Sequence, residues 1–173
     1  VLSNVAFRLT FKLVCCCCCI PMDIEGLDDF RQALNSRDGP VCVVANHTSF
    51  LDVMLALKMT PLAVAGKTKM FVSNHLTKLP FLGSIVIAMD HLTVPFKASD
   101  KDGGFEVDKE LMAEKMAILK AHVQEGGVAA WFPEGKINAG DPCELQQFRA
   151  GGFSIPEEVD CEIWCIAFMG NSK

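Results

Sequence analysis

Three short, continuous apolar runs limit what this chain can fold into more than any other feature: Val41 to Ala45, Val128 to Phe132, and Ile163 to Met169 within a strand-like stretch that opens at Glu162. Runs of this length without polar alternation suit strands covered on both faces, as in a parallel sheet with helices on either side. Segments with helical spacing lie between them. Ser49 to Lys58 sets Leu51, Met54 and Leu55 on one side and stops before Pro61. Asp108 to Gln124 steps through Leu111, Lys115, Leu119 and His122, opens on acids and ends at Gly126-Gly127. The alternation predicts an α/β fold, a mostly parallel or mixed sheet flanked by helices. Leu62 to Ala65 reads as a further short strand, Leu92 to Phe96 as another limited by Pro95, and Asp100 to Gly104 as a loop. Lys67 to Met89, broken by Pro80 and Gly83, has no single period.

The leading segment has a different character. Val1 to Met22 contains Arg8 and Lys12 and no acid, whereas the whole chain of 173 residues carries a net charge of -5. The uncharged run Leu13 to Met22 falls well short of the ~20 residues a helix needs to span a bilayer. Basic residues interleaved with Leu9, Phe11, Leu13 and Val14 fit an interfacial helix, and they equally fit an ordinary buried N-terminal helix. The expected organisation is a membrane-associating segment over 1–22 and an α/β domain over 23–173. The chain opens on Val1 rather than Met and is expected to be a fragment of a longer one.

Half of the residues are hydrophobic and only 21% are charged, which excludes intrinsic disorder, and the acidic balance excludes a nucleic-acid partner. Nine cysteines cannot all pair internally, and a chain this long needs no disulfide framework, so a cytosol-facing location fits best. Cys15 to Cys19 lack the second ligand pair of a zinc site. They are open to reversible palmitoylation beside the basic stretch, or pack as small hydrophobes. Cys161 and Cys165, evenly spaced in the last apolar run, are expected to share one core-facing side of a strand.

Two polar blocks follow strands directly. Asn46-His47-Thr48-Ser49-Phe50-Leu51-Asp52 leaves the first apolar run, and Phe132-Pro133-Glu134-Gly135-Lys136 leaves the second. The C-terminal edge of strands is where open α/β sheets gather reactive groups. A neutral imidazole removes a proton from a hydroxyl when a carboxylate on its other nitrogen fixes its tautomer. His47 and Asp52 are the candidates for that pair. Spacing alone is weak support, since Thr48 or Ser49 could simply cap a helix and Pro-Glu-Gly could be a surface turn. Glu134 and Lys136 could orient a polar headgroup or its phosphate.

Together, the N-H-T-S-F-L-D and F-P-E-G blocks resemble the phospholipid/glycerol acyltransferase family, which includes the 1-acylglycerol-3-phosphate acyltransferases. Phe148-Arg149-Ala150-Gly151-Gly152-Phe153 looks like the family's Phe-basic-x-Gly segment, and Ile163 to Met169 like its last apolar strand. The resemblance implies a glycerolipid acyltransferase-like fold. It makes His47 the general base on an acceptor hydroxyl and Asp52 its support. It gives substrate binding to Asn46, Ser49, Phe132, Pro133, Glu134, Gly135 and Lys136. The implied reaction transfers a fatty acyl group from acyl-CoA, a co-substrate, to a lysophospholipid at a membrane surface, lysophosphatidic acid first, with no metal or other cofactor.

This chain departs from the family at two points. The family's middle motif ends in an Arg that binds the acceptor phosphate, whereas here Phe96 stands near that position and Lys97 one step on. Lys136-Ile137-Asn138 after F-P-E-G is closer to tafazzin-like transacylases, so a CoA-independent transacylase is the alternative within the same chemistry. A non-catalytic lipid-binding domain is the alternative outside it. No G-x-S-x-G elbow accompanies Ser49, which argues against a serine hydrolase. His75, His91 and His122 have no motif around them and are expected to be solvated or packed.

Overall fold

The computed structural model of the chain describes residues 22–80, 82–98 and 105–171, together with residues 5 and 9. The membrane-associating segment expected over 1–22, with Cys15 to Cys19, therefore lies outside the described residues except at 5, 9 and 22, and so does the loop at Asp100 to Gly104.

Helix α1 (Leu27–Ser36) places Asp28 and Asp29 in its first turn, where carboxylates face the positive end of the helix, and buries Phe30 and Leu34. Strand β1 (Val41–Ala45) is buried at every residue, as its unbroken apolar run predicts. Helix α2 (Leu51–Met59) occupies the segment expected to be helical. Arg31 of α1 caps its far end, with Nε donating to Met59 O at 3.0 Å and Nη2 to Lys58 O at 3.4 Å. Those are carbonyls that a helix terminus leaves without partners of its own.

Leu62–Ala65 is not a strand but a single helical turn, α3. Pro61 starts it, its carbonyl accepting the N–H of Val64 at 3.0 Å and of Ala65 at 2.8 Å. Four apolar residues carry no periodicity to separate helix from strand. The strand follows as β2 (Thr68–Val72), inside the stretch with no single period. A 3-10 turn (Asn74–Lys78) and α4 (Leu82–Ala88) lead to β3 (Leu92–Thr93). The strand expected to reach Phe96 stops earlier; Phe96 instead opens an antiparallel pair, β4 (Phe96–Ala98) with β5 (Phe105–Val107). Helix α5 (Lys109–Gln124) is capped by Asp108, which accepts the N–H of Glu110 at 3.1 Å and of Leu111 at 3.2 Å. Strand β6 (Val128–Trp131), a 3-10 turn (Ala150–Phe153), α6 (Ser154–Glu158) and β7 (Glu162–Ile166) complete the order.

Five strands form one sheet in the order β3-β2-β6-β1-β7, and every pairing within it is parallel. Alternate residues of β1 face opposite layers. Val41, Val43 and Ala45 pack with Phe30 and Leu34 of α1, Met59 of α2 and Val64 of α3. Cys42 and Val44 pack with Leu119 and Val123 of α5 and Ile155 of α6. The sheet is thus covered on both faces, the arrangement that its apolar strands require.

β7 is one of the two edge strands, and none of its residues is fully buried. The core role expected for both Cys161 and Cys165 therefore divides: Cys161 Sγ lies 3.4 Å from the buried Cys42 Sγ, whereas Cys165 is exposed. No helix among the described residues is long and apolar enough to cross a membrane.

Candidate active site

β1 and β6 are neighbours in register, Val44 opposite Trp131, so the chain leaves both at one edge of the sheet. The two polar blocks emerge there side by side. His47 Nδ1 and Asp52 Oδ2 are 2.9 Å apart. The same Oδ2 accepts the backbone N–H of Thr48 at 2.6 Å and of Ser49 at 2.9 Å, because Asp52 stands in the first turn of α2 and the chain before it wraps around the carboxylate. Asn171, beyond β7, donates its side-chain N–H to Oδ1. Asp52 is fully buried. Burial alone would raise its pKa, but the hydrogen bonds from His47, Ser49, Thr48 and Asn171 outweigh it and hold the carboxyl below its ordinary value.

The second block supports the first. Glu134, almost completely buried, accepts the backbone N–H of His47 through Oε1 at 2.8 Å and that of Gln146 through Oε2 at 3.3 Å. The His47 carbonyl accepts the N–H of Asn138 at 2.7 Å. Phe132 stacks on the imidazole with centroids 4.0 Å apart and an interplanar angle of 13°. The imidazole is thus held by Asp52 through Nδ1, by Phe132 on one face, and through its backbone at both ends.

Of the residues expected to bind substrate, several have their polar atoms bonded to the chain itself. Asn46 donates Nδ2 to Phe168 O at 2.9 Å and accepts Phe168 N–H through Oδ1 at 2.6 Å, which ties the end of β1 to the chain after β7. Ser49 Oγ accepts the N–H of Leu51 at 3.0 Å. Glu134 is committed as described, and Pro133 is buried. Gly135, at φ 68°, and Lys136 are exposed at the turn. Lys97 is on β4 of the separate β4–β5 pair, its Nζ 3.7 Å from Glu106.

Sequence reasoning missed Asn171 and Phe168 as partners of the site. A single Asn after an apolar run carries no local signal, since its role comes from β7 lying beside β1. Asn138 is buried and staples its loop, donating to Asp141 O at 3.0 Å and Glu144 O at 2.7 Å and accepting Gly140 N–H at 2.8 Å. His91 is packed, and burial, partly offset by Asp90 and reinforced by Lys69, lowers its pKa to about 4.

Beside the dyad is an apolar cavity of about 120 Å³, lined among others by Phe50 just before α2, Val53 and Leu57 of α2, Val72 of β2, Val86 of α4 and Phe132. Its size is of the order of the ~150 Å³ dry cavity that takes up benzene, so it can receive a piece of hydrocarbon. Phe132 both lines this cavity and stacks on the imidazole.

A carboxylate-held imidazole thus stands next to a hydrocarbon-lined space at one edge of the sheet. A family model described as Acyltransferase matches residues 22–169, and the chain belongs to that acyltransferase family. Among curated proteins it is similar to a 1-acyl-sn-glycerol-3-phosphate acyltransferase of Chlamydomonas reinhardtii, 26% identical over 144 residues that make up 83% of this chain and 38% of that protein. It is also similar to two enzymes of the same name described as chloroplastic. One, from Arabidopsis thaliana, is 29% identical over 88% of this chain and 37% of its own length. The other, from Brassica napus, is 28% identical over 87% and 38%. The chain thus spans well under half the length of these relatives. No solved structure matches it.

Proposed function

We propose that this domain transfers a fatty acyl group from acyl-CoA to the free hydroxyl of a lysophospholipid, lysophosphatidic acid first, at a membrane surface. The observation that carries this reading is the His47–Asp52 pair at 2.9 Å, at the edge of a parallel sheet, with Phe132 both stacked on the imidazole and lining an apolar cavity.

Asp52 stays ionised and accepts the Nδ1–H of His47, which leaves the Nε2 lone pair free to act as base. Nε2 removes the acceptor's hydroxyl proton as that oxygen attacks the thioester carbonyl. The tetrahedral intermediate collapses with cleavage of the C–S bond, and the CoA sulfur leaves, taking the proton back from the imidazolium. The cavity takes part of the acyl chain. Asn46, Ser49 and Glu134 position His47 and Asp52 rather than touching substrate. The names of the curated relatives support the acceptor class, and the apolar substrates support a membrane surface as the place of reaction.

The test is acyl-CoA-dependent formation of diacyl product by the purified protein and by His47→Ala. Equal activity in both would sink the mechanism. A phospholipid donor is a second reading, favoured by Lys136-Ile137-Asn138 after the F-P-E-G block. Product formed from phospholipid with no acyl-CoA present would favour it, and lipid binding without turnover on any donor would point to a non-catalytic domain.

A further inference from the structure

An acceptor such as lysophosphatidic acid carries its phosphate only a few bonds from the reacting hydroxyl, so a cation is expected close to His47. Lys97, one step from where the family carries its phosphate-binding Arg, is paired with Glu106 on a separate strand pair. Another cation does stand against the site. Arg149 is laid across the F-P-E-G turn: a Cβ placed on Gly135 would come within 2.7 Å of its Nε, 2.8 Å of its Cδ and 3.0 Å of its Cζ.

Arg149 is held there from two sides. Its backbone N–H donates to Pro133 O at 2.8 Å, and the neighbouring Phe148 stacks on Phe153 with centroids 6.3 Å apart. Its side chain is exposed, and the ion pairs among the described residues all involve other side chains. Glu134, the acid nearest in sequence to the turn, has each oxygen engaged by a backbone amide, from His47 and from Gln146. Lys136, also exposed and in none of those ion pairs, adds a second positive charge beside the turn. A guanidinium fork with free donors next to an open turn suits a phosphate monoester, which accepts two parallel N–H bonds.

We propose that Arg149, lying over Gly135, binds the phosphate of the acyl acceptor and so selects lysophospholipids with a terminal phosphate. This rests on the function proposed above. The glycine is required on the same account, because any side chain at 135 would displace the guanidinium.

CoA also carries phosphates, so the test must separate donor from acceptor. KM and kcat would be measured for the wild type, Arg149→Gln and Arg149→Lys with lysophosphatidic acid, with monoacylglycerol, which lacks the phosphate, and with varied acyl-CoA. In Arg149→Gln the KM for lysophosphatidic acid is expected to rise about 10- to 100-fold, the loss of a charge-assisted contact. Turnover of monoacylglycerol and the KM for acyl-CoA are expected to stay as in the wild type. Lys restores the charge without the fork and is expected to recover only part of the affinity. Binding of glycerol 3-phosphate, followed by its phosphorus resonance, is a readout that needs no turnover. If the wild type acylates no lysolipid, the proposed function fails, and this binding alone decides the role of Arg149. Unchanged KM and unchanged glycerol 3-phosphate binding in Arg149→Gln would overturn the inference. So would a KM that rises for acyl-CoA instead.

Discussion

The Glu134 carboxylate accepts the backbone N–H of His47 at 2.8 Å, so the F-P-E-G block holds the block that carries His47 in place from the neighbouring strand. Its other oxygen takes the N–H of Gln146 at 3.3 Å. Glu134→Gln keeps the shape but has only one acceptor oxygen, which leaves one amide without a partner. The expected cost is about 1–3 kcal/mol, read as a fall in Tm of a few degrees for a chain of this size. Activity is expected to fall with it. A residue that only touched substrate would lower activity and leave Tm unchanged, so the pair of measurements separates the two roles.

Asp52→Asn removes the carboxylate that orients His47 while keeping its volume. Loss of tautomer control of this type costs on the order of 10⁴ in kcat in the Ser-His-Asp arrangement, and a comparable fall is expected here. Stability provides a second check. Because the folded-state pKa of Asp52 is depressed, its stabilising contribution is present above the ordinary carboxylate value of ~3.9 and is lost as pH falls through the folded value. Urea midpoints of the wild type and Asp52→Asn are therefore expected to differ most near neutral pH and to converge in strong acid. A gap that widens on acidification would contradict this account of Asp52.

His91 predicts a separate pH dependence. Its pKa is lowered to about 4, first by burial, so the unfolded chain takes up this proton below ~6.5 while the folded chain does not. Stability is lost as pH falls from ~6.5 toward the folded value, roughly 2 kcal/mol of it by pH 5. His91→Leu removes the titrating group and is expected to flatten the profile between pH 7 and pH 5. Denaturation curves at those two pH values, for both proteins, provide the comparison.

Val72 lines the cavity from β2. Val72→Phe fills part of it, at a stability cost of about 1–3 kcal/mol from overpacking. If the cavity receives the acyl chain, the variant is expected to shift donor preference toward shorter acyl-CoA species while activity on the shortest donors remains. An unchanged chain-length profile would place the acyl chain elsewhere.

Gly152 lies so close to Trp131 that a Cβ there would be 2.6 Å from the indole Nε1. Gly152→Ala must push the Ala150–Phe153 turn off the indole, and a lowered Tm is expected from the lost packing of Trp131 on Phe153, now edge to face at 5.7 Å. A thermal melt equal to the wild type would mean the turn can yield without loss.

What the sequence made legible was set by local signals. β1 and α5 were readable because an unbroken apolar run and a capped, acid-first helix each have one interpretation. The two polar blocks were readable because each directly follows a strand. α3 and β2 were not, because Leu62 to Ala65 is too short to have a period and Thr68 to Val72 mixes Thr and Lys into a strand that is only half-buried over most of its length. Cys165 was misplaced because its run gives no sign that β7 is an edge. Asn171 on Asp52 and Arg149 over Gly135 depend on segments distant in sequence meeting in space, which no local pattern encodes.

The position of β1 also bears on how the chain reaches this state. Its two hydrogen-bonded neighbours are β6 and β7, both from far later in the sequence. During synthesis the strand that leads into His47 emerges before β6 and β7 and stays without these two partners until residues 128 to 166 have followed it. Through that interval Val41 to Ala45 is a bare apolar segment with open backbone groups. A nascent-chain holding factor would be expected to act at that strand.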